Sequence, residues 1–206
     1  MIKLNIGSGQ IPKSSIFAKD WVNVDKDYDD TKPEWQNANY AGFDLRGYWR
    51  FDSDSVDCIF ASHILEHISY DLIKDIFREA YRVLKIGSPM RIICPDPRIF
   101  WRNWKAENTQ FILDCYGKEN WDRNKYETLQ HIGYTDMFFG DNYDHCLCTS
   151  IEYIAICAIR SKFSIVQEMG CGNTMFPQYF REVEDLVNLN SFDNRPYMSW
   201  FLECVK

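Results

Sequence analysis

The chain has 206 residues, a formal net charge of −7 at pH 7, and 46% hydrophobic against 26% charged residues. That size and composition point to one α/β domain with a sizeable core. The acidic balance argues against a broad nucleic-acid footprint, which needs clustered Lys and Arg, and no apolar run approaches the roughly 20 residues of a membrane span. The sequence passes from Met1 directly into a strand, so no signal peptide and a cytoplasmic location are expected. The eight cysteines are then expected as free thiols rather than disulfides.

In chain order, Lys3-Leu4-Asn5-Ile6 reads as a strand over 3–6 that runs into the turn Gly7-Ser8-Gly9. A second strand over 21–25 ends in Asp25. Glycine lets a backbone approach a ligand without a Cβ in the way, and an acid at the tip of the next strand accepts hydrogen bonds from a ribose diol. Gly7, Gly9 and Asp25 therefore read as the front half of a nucleotide-type cofactor site. Further strands are expected at 41–44, closed by Phe43-Asp44-Leu45, and at 57–62 and 89–94.

The best helix is expected over 70–84. Ser69 is the candidate N-cap, and Gly87 suits the stop. Leu72, Ile73, Ile76, Phe77, Ala80, Tyr81 and Leu84 form its core-facing stripe. Strands alternating with helices imply a parallel sheet covered by helices.

The stretch 96–148 is too long for a simple crossover. It is rich in aromatics, from Trp101 and Trp104 through Tyr116 and Trp121 to Tyr143, with weak helical patterns near 98–116 and 120–131. A helix at 150–160, capped by Thr149 or Ser150, precedes a strand at 163–168, and the last strand is 199–205. With no linker in view, residues 1–206 read as a single domain, with 96–148 as a substrate-binding insertion or lid.

The cluster His145-Cys146-Leu147-Cys148, with Cys171 beyond it, lacks a second closely spaced ligand pair, so no metal is expected. Asp57 is expected to fix the turn before the fourth strand, Glu66 and His67 to brace a helix start, and Asp96, between two prolines, to be a loop residue.

The run from Asp57 to His67 (D-x-I-x-x-S-H-x-L-E-H), the R-V-L-K-x-G segment Arg82–Gly87 and the N-I-G-S-G turn together closely resemble the class I S-adenosylmethionine-dependent methyltransferases. The small bacterial and phage-type members are the most similar. The resemblance covers residues 3–96 well and recurs loosely at 145–168 and in the final strand. It implies a Rossmann-like, doubly wound α/β fold: a mostly parallel sheet with an antiparallel last strand.

It also implies S-adenosyl-L-methionine as cofactor. Gly7, Ser8 and Gly9 would lie beneath the methionine part, with Asn5 in the usually acidic first position. Asp25 would take the ribose hydroxyls. Asp44 would accept from the adenine amino group, while the Leu45 backbone N–H meets a ring nitrogen. Ser62 and His63 would line the floor near the reactive methyl.

A hydroxyl or amine acceptor benefits from a base with a near-neutral pKa, so His63 is the first candidate catalytic residue and His145 the second. The N-P-P-Y-like motif of nucleic-acid amino-methyltransferases is absent after strand four, and Cys94-Pro95 lies on strand five. A small-molecule or sugar-type acceptor is therefore expected, methylated at oxygen or nitrogen, with no nucleic-acid or membrane partner. Two alternatives stand beside this reading. One is a cofactor-binding module without catalysis. The other is a nicotinamide-dependent oxidoreductase, disfavoured because Gly7-Ser8-Gly9-Gln10-Ile11-Pro12 lacks the third glycine of that fingerprint.

Overall fold

Short apolar runs ending in glycine or acidic turns become parallel strands, and the amphipathic segments between them become the covering helices. The computed structural model describes residues 1–11, 13, 15–108, 110–111, 145–146, 149–189 and 198–206. Its strands are β1 (Lys3–Ile6), β2 (Val22–Asp25), β3 (Asn39–Gly42), β4 (Cys58–Ser62), β5 (Pro89–Pro95), β6 (Ile165–Met169) and β7 (Ser199–Val205). They form a seven-stranded sheet in the order β3-β2-β1-β4-β5-β7-β6. The neighbours from β3 to β5 pair in parallel, and β7 runs antiparallel to both β5 and β6. This is the Rossmann-like architecture expected from the sequence, with its reversed last strand.

Helices cover both faces. On one face, α1 (Tyr70–Val83) and α3 (Ile151–Arg160) pack Ile73, Ile76, Phe77, Ile154 and Ala158 against Leu4, Ile6, Ile59 and Ile92. On the other face, α4 (Pro177–Leu189) presses Phe180 and Val183 onto Trp21, Phe60, Ile93 and Phe201. Between them, β5 and β7 are buried along their whole length, as strands covered on both faces must be. A charged pair is sealed inside this layer. Arg91 and Glu203 stand opposite each other in the β5–β7 register, joined at 2.8 Å with both side chains fully buried. The Met175 backbone N–H at 2.9 Å and the Thr174 hydroxyl also donate to Glu203.

Several boundaries differ from the sequence reading. β3 lies at 39–42 rather than 41–44. Phe43 and Leu45 supply the apolar signal there, but they are core residues of the turn after the strand, and Asp44 accepts the Gly47 backbone N–H within that turn. Helix α1 ends at Val83 with Leu84 as C-cap, so Gly87, at φ +78°, serves the turn into β5 instead. Ser69 holds the N-cap position without a side-chain capping bond, whereas Ser150 caps α3 by accepting the Tyr153 backbone N–H. α4 was not anticipated.

Asp96 is no idle loop residue. It caps α2 (Pro97–Lys105) by accepting the Arg98 backbone N–H and also binds the Arg98 guanidinium. The aromatic stretch 96–148 is described mainly in α2, where Trp101 and Trp104 stack 5.0 Å apart; its remainder, including Tyr116, Trp121 and the helical patterns beyond Phe111, lies outside the described residues. Among the described residues no helix is long and apolar enough to cross a membrane, and the described cysteines are free thiols.

Candidate cofactor site

The order of the sheet reverses between β1 and β4. From β1 the chain proceeds outward to β2 and β3, while β4 and β5 fill the other side. Open α/β sheets bind ligands in the crevice outside the carboxyl ends of the strands at such a switch point. Here the crevice is a cavity of about 370 Å³ whose walls include Gly7, Asp25, Asp44, Leu45, Ile64 and His67. That volume falls within the roughly 300–1,000 Å³ of small-molecule sites. A groove of about 360 Å³ between α1 and α3, lined by Tyr70, Lys74 and Arg160, lies on the helical layer away from the strand ends.

The glycine turn is fixed from several sides. Gly7 and Ser8 donate their backbone N–H groups to Val24 O at 2.8 and 3.2 Å. Both glycines sit in the left-handed region, Gly7 at φ +64° and Gly9 at +57°. A Cβ on Gly7 would stand 2.3 Å from Ile64 Cγ1, whereas one on Gly9 would meet open space. Gly7 is therefore required by packing as well as conformation, and Gly9 by conformation alone. The Tyr40 hydroxyl accepts the Ile11 N–H at 2.7 Å and donates to Gly9 O at 3.2 Å. Tyr40 itself stacks on Tyr28 and meets Trp35 edge-on. Burial raises the pKa of its phenol, which keeps the donor proton in place. The sequence reading passed over this latch, because nothing local links Tyr40 to a turn some thirty residues earlier.

Asp25 stands at the end of β2, its carboxylate accepting Gly9 N–H on Oδ2 at 2.8 Å and Asp27 N–H on Oδ1 at 2.9 Å. A carboxylate offers about four lone-pair positions, so half of them remain for hydroxyl donors. Asp44 accepts the Arg46 backbone N–H at 2.9 Å and pairs with the Arg46 guanidinium, which holds the Asp44 carboxyl below its ordinary pKa. Leu45 is buried, and its carbonyl accepts the Trp49 indole N–H at 3.0 Å. Glu79 accepts the Trp49 backbone N–H at 2.8 Å and binds Arg82, which donates to the carbonyls of Trp49 and Phe51. The loop that carries Asp44 and Leu45 is thus tied to α1.

Asn5, Ser8 and Ser62 are not among the cavity walls. Asn5 is buried, its amide donating to Asn23 Oδ1 at 2.9 Å inside the sheet. Ser8 lies in the turn with its hydroxyl 3.2 Å from Gly9 O. Ser62 ends β4. His63 has φ +51°, uncommon outside glycine, and its ring is held on both sides: Nε2 is 3.0 Å from Ser199 Oγ and Nδ1 is 3.3 Å from Glu66 Oε1. His63 is not among the cavity walls; His67, whose sequence context suggests a structural brace, is.

Glu66 is 2% exposed. Burial would raise its pKa, but the His63 and His67 rings outweigh this and hold it below the ordinary value. His145 lies against His67, ring centroids 4.8 Å apart. Asp57 does what the sequence suggested: it accepts the Ile2 backbone N–H at 2.6 Å and Lys85 Nζ at 2.7 Å, and so fixes the entry to β4.

Strand order, with its reversed last strand, and the glycine turn at the switch point define a Rossmann-like, doubly wound α/β fold. Residues 4–92 match the family model described as a methyltransferase domain. Solved structures of similar fold include a SAM-dependent methyltransferase from Archaeoglobus fulgidus, with TM-score 0.56, 14% identity, and coverage of 99% of this chain and 85% of that one. The YcgJ protein of Bacillus subtilis aligns with TM-score 0.53 at 14% identity, over 99% of this chain and 91% of its own. The phosphoethanolamine N-methyltransferase 2 of Haemonchus contortus, solved with S-adenosylhomocysteine, aligns with TM-score 0.51 at 15% identity, over 100% of this chain and 48% of its own. At these identities the likeness concerns the fold. No curated protein sequence matches this chain.

Proposed function

We propose that the cavity at the β1–β4 switch point holds S-adenosylmethionine and that the chain methylates a small-molecule or sugar-type acceptor at oxygen or nitrogen. The observation that carries the reading is the convergence of Gly7, Asp25, Asp44 and Leu45 on one cavity of suitable volume. In this reading Asp25 takes the ribose hydroxyls with its remaining lone pairs, and its bonds to the Gly9 and Asp27 N–H groups aim it. The Asp44–Leu45 turn takes the adenine edge, the Asp44 carboxylate accepting the amino group beside Arg46. When bound, the cofactor supplies an electrophilic methyl group, so the protein's main task is to place the nucleophile in line and exclude water.

The ring contacts of His63 support a positioning role for it at the β4 exit rather than that of a free base. His67 lies on the cavity wall, and His145 packs against it. Acceptor selectivity is assigned to the 96–148 stretch, whose aromatic residues suit a pocket wall. An unbiased screen of small acceptors with radiolabelled S-adenosylmethionine tests the proposal. Label transfer to a sugar or metabolite hydroxyl or amine is expected. Transfer only to nucleic acid or protein would overturn the acceptor class, and tight binding of NAD in place of S-adenosylhomocysteine would overturn the cofactor.

A further inference from the structure

Just beyond β4, the carboxylate of Glu66 and the imidazoles of His67 and His145 gather, with one ligand-type atom from each lying within 4.8 Å of the others. Glu66 and His67 share a short 3-10 turn, Leu65–His67. His145 comes from far along the chain, placed there by the Cys146 backbone N–H, which donates to Glu66 O at 2.7 Å.

A second observation comes from Glu66 itself. It is almost fully buried, and its close side-chain contact, His63 Nδ1 at 3.3 Å from Oε1, falls short of a well-formed hydrogen bond, so both carboxylate oxygens keep accepting capacity among the described residues. Buried carboxylates are ordinarily hydrogen-bonded, paired or bound to metal, because desolvating the charge is costly.

We infer that Glu66, His67 and His145 form a binding site for a divalent transition-metal ion. Two imidazoles and one carboxylate suit borderline first-row ions such as Mn²⁺, Fe²⁺, Co²⁺ or Zn²⁺, and such three-ligand sets leave coordination positions open. Donors about 2.0–2.2 Å from a metal stand roughly 3–3.5 Å from one another, so side-chain adjustments of about an ångström bring this trio into range.

The sequence alone did not disclose the site. Its Glu-His half looks like a helix brace, and its His145 half sits beside Cys146 and Cys148, which draw attention to thiolate chemistry instead.

The position suggests a use, and this part rests on the cofactor reading above. His67 belongs both to the trio and to the cavity wall, so an ion held there borders the cavity. Its open positions would take an acceptor hydroxyl oxygen and lower its pKa, so that the proton passes to solvent. The resulting alkoxide would take the methyl group as the S–C bond of the sulfonium breaks and leaves a neutral thioether.

The test uses the full chain, stripped with chelator and titrated with CoCl₂ while the visible absorption of bound Co²⁺ is followed. One ion per chain is expected, with a spectrum of nitrogen and oxygen ligation. Affinity is expected to fall at least tenfold in His145→Ala and in Glu66→Gln, each checked for its fold by circular dichroism. His145→Ala is expected to leave S-adenosylhomocysteine affinity unchanged, which separates failure of the metal site from failure of the cofactor site. Absence of binding would overturn the inference. So would affinity unchanged in both variants, or intense thiolate charge-transfer bands that vanish in Cys146→Ser.

Discussion

An ideal Cβ on Gly7 would stand 2.3 Å from Cγ1 of Ile64, so the turn after β1 and the exit of β4 interlock with no room for a methyl group. The two halves of the switch point are held together by this contact, and the cavity between them inherits its shape.

Gly7→Ala is expected to destabilise the fold by roughly 2–4 kcal/mol, combining an overpacked contact with a left-handed backbone. Gly9→Ala has only the conformational cost and is expected to lose about 1 kcal/mol. Urea unfolding measures both. Adding Ile64→Ala to Gly7→Ala is expected to recover about 1 kcal/mol or more, as contacting residues couple; strict additivity would show that the contact is not what makes Gly7 necessary.

Glu203→Ala is expected to cost about 3–5 kcal/mol, because it strands the Arg91 guanidinium in a fully buried layer. The paired change Arg91→Met with Glu203→Leu is expected to restore most of that stability, since well-packed apolar residues often replace a buried ion pair without loss. Thermal melts of the three proteins decide the matter. A double variant no more stable than Glu203→Ala would mean that the bonds from Thr174 and Met175 to Glu203 outweigh the ion pair.

The hydrogen bond from Arg82 holds the Glu79 carboxyl below its ordinary pKa. A carboxyl depressed in the folded state contributes stability that is fully present above its unfolded value of about 4.3. That contribution is lost as pH falls through the lower folded pKa. Glu79→Gln is expected to lower stability at pH 7 by about 1.5 kcal/mol, the low end for bonds to a charged group. The gap between wild type and variant is expected to close progressively below pH 4. Denaturant titrations across that range test the sign, and a gap that widened with acidity would contradict it.

Burial pushes the Cys58 thiol up to about 12 and raises those of Cys94 and Cys204 as well. The thiolate is the reactive form, so these residues are expected to resist alkylation at pH 7.5 in the folded protein, while exposed Cys146 reacts. Peptide mapping by mass spectrometry locates the label. Labelling of Cys94 as fast as Cys146 would show that the centre of the sheet opens far more readily than its packing implies.

Much of this was readable in the sequence where the signal is local. The alternation from Lys3 to Cys94, the stripe on α1 and the turn Gly7-Ser8-Gly9 each follow from residues close in the chain, and Asp25 falls at its strand tip as expected. What escaped were relationships across the chain. Tyr40 reaches back to Gly9 and Ile11, and Asn5 turns to Asn23 inside the sheet rather than toward the cavity. His63 is claimed by Ser199 and Glu66, while His67 takes its place on the wall. β3 was displaced because Phe43 and Leu45 carry the apolar signal of a buried turn, whereas Asn39–Gly42 form a weakly apolar edge strand.

The central claim is that Asp25, at the tip of β2, anchors the cofactor in the switch-point cavity. Isothermal titration of S-adenosylhomocysteine into wild type and Asp25→Ala tests it most directly. The account predicts one molecule bound per wild-type chain, and an affinity roughly 30- to 150-fold weaker in the variant, corresponding to about 2–3 kcal/mol for lost hydrogen bonds to a charged group. A folded Asp25→Ala protein that binds with wild-type affinity would contradict it.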